Sequence, residues 1–225
     1  VDETHEPTFY VGAARPEVEL RLIPSTWREN GAGIFGQISA RLAYRFYAVN
    51  GFKASGYAVD GLRGGRQKGA KALSNDWAFV GRVDLDVASG LLVGSSVYAG
   101  NSGQEQTGAG GDLPDALTVL WEMHAEYKAR GASFRGLFVQ AFVDDARELN
   151  AALAKSATAS VAEQMVGGYV EAGYDVLPLV FPDTKMSLEP FFRYELVDTQ
   201  QVMPTGALRN SKYVQDIYTV GVSFK

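Results

Sequence analysis

The 225-residue chain is 46% hydrophobic and 12% aromatic, carries a formal net charge of −5 and has no cysteine. This composition excludes a disordered protein and a disulfide-stapled scaffold, and the acidic balance gives no reason to expect a nucleic-acid partner. No stretch approaches the roughly eighteen apolar residues of a transmembrane helix, and residues 1–5 are not a signal peptide. Frequent glycine and aromatic residues favour a single all-β domain over residues 1–225.

Alternation of apolar with polar residues predicts the strands in chain order. The first lies at 18–22. The next is one fifteen-residue strand from Ile34 to Ala48, long enough at about 3.3 Å per residue to cross a bilayer. Seven more alternating segments bring the expected total to about nine strands. They lie at 79–87, 91–99, 119–127, 134–143, 166–176, 188–196 and 218–224.

Short and long connections alternate along this pattern. Short turns are expected at 30–32, 88–90 and 129–131. Long loops are expected near 49–76, 101–116, 144–161 and 198–213, and one of them holds a helical candidate from Asp145 to Lys155. This organisation is typical of an antiparallel transmembrane β-barrel with a meander topology.

Alternation alone does not say which face of the sheet is covered. Aromatic residues near the ends of the apolar faces, charges within the polar faces and long strands favour a membrane barrel. Leu42 and Tyr44 are then expected to face lipid. The rival is a soluble β-barrel or sandwich that binds an apolar ligand. In the barrel, the pore-lining candidates are Arg21, Gln37, Arg41, Arg45, Arg82, Asp84, Asp86, Glu122, His124, Glu126, Glu171, Asp175, Arg193 and Glu195.

Two groups of these candidates suggest chemistry beyond lining a pore. Arg41 and Arg45 would lie about 13 Å apart on one strand face, as a basic stripe or as partners of nearby carboxylates. Glu122, His124 and Glu126 share a face and could form a metal site or the acid and base of a barrel hydrolase. The shortage of histidine and the lack of cysteine argue against both, and no cofactor is indicated.

The glycine-rich stretch from Gly61 to Gly69 lacks the Gly-Lys-Ser/Thr ending of a phosphate-binding loop. We expect it to be a flexible external loop. Its basic residues could contact lipopolysaccharide phosphates or gather anions at the pore mouth. They are Arg63, Arg66, Lys68 and Lys71.

Four short motifs are specific enough to compare with a known family. They are HEPTFY at 5–10, IPSTWRENG at 23–31, GLRGGRQKG at 61–69, and PFFRYE at 190–195 followed by Asp198, Thr199 and Gln200. These motifs resemble Gram-negative outer-membrane porins related to the phosphate-selective porin O and P group. The resemblance implies a homotrimeric, water-filled channel in the outer membrane, in contact with lipid and lipopolysaccharide, for small hydrophilic solutes or ions such as phosphate. It also implies that this chain is an internal part of a barrel of about sixteen strands, since bacterial barrels have even strand numbers. The mixed charge of the expected lumen argues against anion selectivity.

Overall fold

A computed structural model describes residues 14–24 and 27–225. The motif at 5–10 therefore lies outside the described residues. Nine antiparallel strands form one sheet in which each strand pairs with its neighbour in the chain, so the predicted all-β meander is confirmed. In order they are β1 (Gly31–Ser39), β2 (Leu42–Asn50), β3 (Trp77–Ala88), β4 (Leu91–Gly100), β7 (Thr118–Ala129), β8 (Ala132–Val143), β9 (Gln164–Tyr174), β10 (Leu188–Val202) and β11 (Val214–Phe224), with a small separate pair, β5 (Thr107–Gly108) and β6 (Gly111–Asp112).

The predicted fifteen-residue strand is wrong, because this stretch is a hairpin of β1 and β2 that turns at Ala40 and Arg41. Residue Ile34 pairs with Phe46, and the even-numbered residues of the two strands pair with each other. At the two-residue turn Ser39 pairs with Leu42, and the register shift between Gln37 and Ser39 makes residues of equal parity pair beyond it. The apolar residues of both strands therefore keep one alternation, which looks like a single long strand in the sequence.

The predicted strand at 18–22 is also wrong, because Val18–Arg21 forms a short helix, α1. Val18 and Leu22 are fully buried and four residues apart, which places them on one helical face. Glu17 and Arg21, also four apart, form an ion pair of 2.8 Å. One predicted strand is a helix and another is a pair of strands. The predicted number of nine strands in the sheet is therefore right, although these two assignments are wrong.

The connections alternate as predicted. Turns at 40–41, 89–90 and 130–131 lie at one end of the sheet, together with the 175–187 connection, which holds helix α3 (Leu177–Val180). The long connections 51–76, 101–117, 144–163 and 203–213 lie at the other end, and helix α2 (Ala146–Ala152) confirms the helical candidate. The turn expected at 30–32 is instead the start of β1. Among the described residues, no helix is long and apolar enough to span a membrane.

The two faces of the sheet differ in exposure. The face that carries Phe79 and Val220 is open to the surroundings, and these side chains are 70% and 79% exposed. The opposite face carries buried charged residues, including Glu171 and Glu195. Many of the buried apolar side chains belong to the long connections rather than to the sheet. They include Phe52, Tyr57, Leu62, Leu149 and Val161.

Candidate functional site

The charged face is assembled by the strand register. Directly paired residues of an antiparallel sheet share a face, so each row of partners forms a line of neighbouring side chains. The polar face therefore brings together residues far apart in the chain. One row contains Arg45, Arg82, Ser96 and Glu122; the next contains Asp84, Gly94 and His124; a third contains Asp86, Leu92, Glu126, Arg135, Glu171 and Arg193.

Arg45, Arg82, Asp84, Glu122 and His124 form one group, which we call the His124 cluster. Asp84 is its centre, since it contacts Arg45 Nη1 at 3.1 Å, Arg82 Nη2 at 2.8 Å and His124 Nε2 at 3.0 Å. The other imidazole nitrogen, Nδ1, lies 2.9 Å from Glu122 Oε2. Arg45 therefore neutralises a carboxylate of the neighbouring strand, as the sequence allowed, and Arg82 neutralises the same carboxylate from within β3.

The His124 cluster does not have the geometry of a hydrolase. Ser96 Oγ donates to Glu122 Oε1 at 2.5 Å, and not to the imidazole that would activate it. His124 Nε2 already faces Asp84 and Arg82. Within 14–24 and 27–225, no group of three His, Cys, Asp or Glu residues is placed to hold a metal ion.

Glu171, Arg193 and Glu195 form a second group, the Arg193 cluster. Arg193 Nη1 lies 3.2 Å from Glu171 Oε2, and its Nε lies 3.0 Å from Glu195 Oε1. All three side chains are at most 3% exposed. Buried ions of this kind are tolerated only when they are paired and hydrogen-bonded, so one guanidinium between two carboxylates needs further donors.

Residues 14–24, which we call the inner segment, supply a further hydrogen-bond donor to the Arg193 cluster and cover the cluster from solvent. The backbone N–H of Glu17 donates to Glu195 Oε2 at 2.5 Å. Arg193 Nη2 in turn donates to the carbonyl of Ala14 at 3.1 Å. The inner segment thus lies against the polar face of β9 and β10 and removes this part of the charged wall from solvent.

Close packing fixes the middle of the inner segment to the same strands. Gly167 lies beneath Val18, and a Cβ atom at Gly167 would come within 2.6 Å of Val18 Cγ2. Tyr169 donates its hydroxyl proton to Glu19 Oε1 at 2.9 Å. A side chain at position 167 would therefore have to displace Val18 of helix α1, and glycine avoids this contact.

The glycine-rich loop holds the other end of the inner segment. The N–H of Leu62 donates to the carbonyl of Arg21 at 3.2 Å, and Arg63 Nη1 donates to the carbonyl of Leu20 at 3.3 Å. This loop is thus folded onto the protein, contrary to its expected flexibility. Lys68 and Lys71 are exposed. Partial burial, together with the nearby Arg63 charge, lowers the pKa of Arg66.

A cavity of about 310 Å³ lies between the chain before β1 and the polar face of β2, β3, β4 and β7. Trp27 stacks on Phe52, with ring centroids 4.4 Å apart. Glu29 accepts hydrogen bonds from Trp27 Nε1 and Asn50 Nδ2 at the edge of this cavity. Burial raises the pKa of Glu29 even though these hydrogen bonds oppose the shift. The residues that line the cavity include Trp27, Tyr47, Tyr98, Arg45, Arg82 and Glu122.

Three predicted pore-lining residues do not lie on strands. Arg21 is part of helix α1, and Arg41 lies in the turn between β1 and β2, so the basic stripe of Arg41 and Arg45 is wrong. Asp175 follows β9 and accepts hydrogen bonds from the N–H groups of Leu177 and Leu188. Burial would raise the pKa of Asp175, but these hydrogen bonds outweigh it and lower the pKa below its ordinary value.

The remaining candidates lie on the polar face. Gln37 pairs with Ala43 in the row of Asp84, and Asp86 is exposed near the turn end of β3. Sequence reasoning missed Arg135, which forms a 2.7 Å ion pair with Glu126. The alternation of β8 could have identified Arg135, because its neighbours in the sequence, Phe134 and Gly136, lie on the apolar face.

Comparisons with known proteins identify a sequence relative and solved structures of similar fold. No family model matches the chain. An uncharacterized protein of Aquifex aeolicus (strain VF5) is 34% identical over 233 residues, which cover 100% of this chain and 52% of that protein, so the chain spans about half the length of its curated relative. The NanC porin, solved in a rhombohedral crystal form, aligns with a TM-score of 0.47 and 15% identity, over 87% of this chain and 77% of the porin. Neither similarity assigns a function.

Proposed function

We propose that the chain is part of the wall of an outer-membrane β-barrel, a porin-like channel that passes small hydrophilic solutes or ions by passive diffusion. The observation that carries this proposal is the arrangement of the sheet, whose apolar face is exposed while its charged face is partly covered by other segments of the chain. Exposed apolar patches of this extent are costly in water, whereas a membrane barrel turns such a face towards lipid and encloses the polar one.

The same observation disfavours a soluble module for an apolar ligand. A soluble sandwich or barrel packs its apolar faces inwards, and here Phe79 and Val220 face outwards. Strand length also supports a membrane wall, because β3, β7 and β8 each have 12 residues and a tilted membrane strand needs about 9–11. The porin-like sequence motifs agree with this proposal.

The partners of the channel follow from the same proposal. Lipid would cover the apolar face, and the exposed Lys68 and Lys71 of the glycine-rich loop would lie near lipopolysaccharide phosphates at the long-loop end. A homotrimer is the expected assembly. Because the charges of the polar face are largely paired with one another, we expect weak ion selectivity rather than a dedicated anion path.

Channel activity is tested by reconstituting the purified protein in a planar bilayer under a potassium chloride gradient. We expect stepwise conductance with a small reversal potential, whose sign gives the preferred ion. A protein that enters the bilayer without any conductance would overturn the channel.

The membrane position is tested separately by a matched pair of substitutions on β11. Val220→Arg places a charge on the exposed apolar face, and Ser223→Arg places the same charge on the opposite face, where its cross-strand partner is Glu189. In lipid vesicles Val220→Arg should cost about 2–4 kcal/mol, and Ser223→Arg much less. Urea titration followed by heat-modifiable gel mobility measures both. Equal, small effects would indicate that this face meets water.

A further inference from the structure

The cavity beside Trp27 has walls of two kinds. Its volume of about 310 Å³ is near the lower limit for small-molecule sites, roughly 300 Å³. Trp27, Tyr47 and Tyr98 supply aromatic surface, and Val80 adds aliphatic surface. Charged side chains border the same space, so the cavity could hold a solute that has both apolar and polar surfaces.

The charges around the cavity are balanced. Arg45 and Arg82 stand against Glu29 and Glu122 among the lining residues. A lone anion would meet two carboxylates, and a lone cation would meet two guanidinium groups. An ion therefore gains little in this cavity, whereas a neutral ligand with hydroxyl groups would find donors and acceptors side by side.

Arg82 retains capacity for hydrogen bonds. Its Nε and Nη2 atoms face Asp84 and His124, but Nη1 contacts no acceptor within the part of the chain that the structure describes. Glu122 accepts from Ser96 and His124, and a carboxylate has about four acceptor sites. Hydroxyl groups could thus bond to both residues without breaking the His124 cluster.

We propose that this cavity binds a neutral saccharide of one or two rings. The C–H face of a sugar ring would pack on the aromatic side chains, and its hydroxyl groups would exchange hydrogen bonds with Arg82 and Glu122. The site itself needs no membrane. Its role, as a solute-binding position in the conduit, rests on the proposed channel function.

Fluorescence of Trp27 tests the site in the full chain in detergent, with Trp77→Phe and Trp121→Phe removing the other two tryptophans. D-glucose and maltose are titrated beside benzoate as an anion and choline as a cation. We expect a saturable change in fluorescence with at least one of the sugars and with neither ion. Saturation by benzoate or choline alone, or no change with any probe, would overturn the proposal.

Cavity-filling variants provide the decisive control. Val80→Phe fills the space without changing a charge and should abolish sugar binding, and Val49→Phe serves the same purpose if the first variant fails to fold. Arg82→Met should weaken binding at least tenfold, while Arg147→Met, in an exposed loop pair with Glu148, should leave it unchanged. Unaltered binding in the filled variants would remove the site from this cavity.

Binding and conductance can fail independently. A protein that binds sugar in detergent but never conducts would overturn the channel and keep the binding site. A protein that conducts but shows no saturable binding would overturn the site and keep the channel.

Discussion

The Arg193 cluster and the His124 cluster belong to the same charged face, but only one of them is covered. Arg193 lies beneath the inner segment and is 3% exposed, whereas Arg82 borders the cavity and is 26% exposed. In both clusters guanidinium groups are paired with carboxylates across strands. We therefore expect the covered cluster to stabilise the sheet, and the open cluster is the one that the proposed channel would present to solutes.

The largest difference should appear when the central arginine is removed. Arg193→Met leaves the carboxylates of Glu171 and Glu195 buried without their cation, which should cost about 3–5 kcal/mol. Arg82→Met should cost roughly 1 kcal/mol, because solvent and Arg45 remain close to Asp84. Urea unfolding in lipid vesicles measures both variants. Similar losses would show that the two clusters are equally shielded.

Neutralising one carboxylate in each cluster should separate conduction from stability. Asp84→Asn leaves the cations of the open cluster unbalanced and should shift the reversal potential towards anion preference. Glu171→Gln removes the same charge beneath the inner segment and should leave the reversal potential nearly unchanged. Both are read in planar bilayers under one salt gradient. A larger shift for Glu171→Gln would place the ion path beside the Arg193 cluster instead of the His124 cluster.

A smaller loss of stability is expected when a contact that holds the inner segment over the Arg193 cluster is removed. Tyr169→Phe removes the hydroxyl that donates to Glu19 and should lower the free energy of unfolding by about 1–3 kcal/mol, as for hydrogen bonds to charged groups. Tyr127→Phe, on the exposed face, is the matched control. If both variants unfold at the same urea concentration as the unmodified protein, the inner segment is not held by this bond.

The smallest effect concerns how the free energy of unfolding depends on pH through Glu29, which borders the cavity. The folded protein raises the pKa of Glu29, so it keeps this proton at a pH where the unfolded chain has released it. Stability should therefore fall as pH rises from the ordinary glutamate pKa through the folded one. Glu29→Gln should remove this slope, and Glu105→Gln, at an exposed loop position, should retain it. Urea midpoints between about pH 4 and 7 measure the slope. An unchanged slope in Glu29→Gln would assign it to another group.

Alternation with a period of two predicted most of the sheet, because one face of each strand carries apolar side chains and the other carries polar ones. The segments from 79 to 143 illustrate this, since strands β3, β4, β7 and β8 lie where the alternation placed them. The same rule cannot detect a turn beside which a register shift keeps the alternation in phase, so it predicts one strand where the β1–β2 hairpin lies.

The covered cluster was harder to predict than the open one. A four-residue helix is too short for its period to be distinguished from a strand, so α1 was missed. The cover over Arg193 depends on contacts between residues more than 170 positions apart, such as Glu17 with Glu195. Charge pattern indicated which strands are polar, but it could not indicate which polar residues are covered by another part of the chain.

The number of strands has a consequence for how this wall can close. In the nine-stranded meander that the described residues form, the edge strands β1 and β11 run in the same direction, each from the long-loop end to the turn end. If these edges met directly, they would pair in parallel. A closed ring in which every neighbouring pair is antiparallel has an even number of strands, so such a ring would combine these nine strands with an odd number of others.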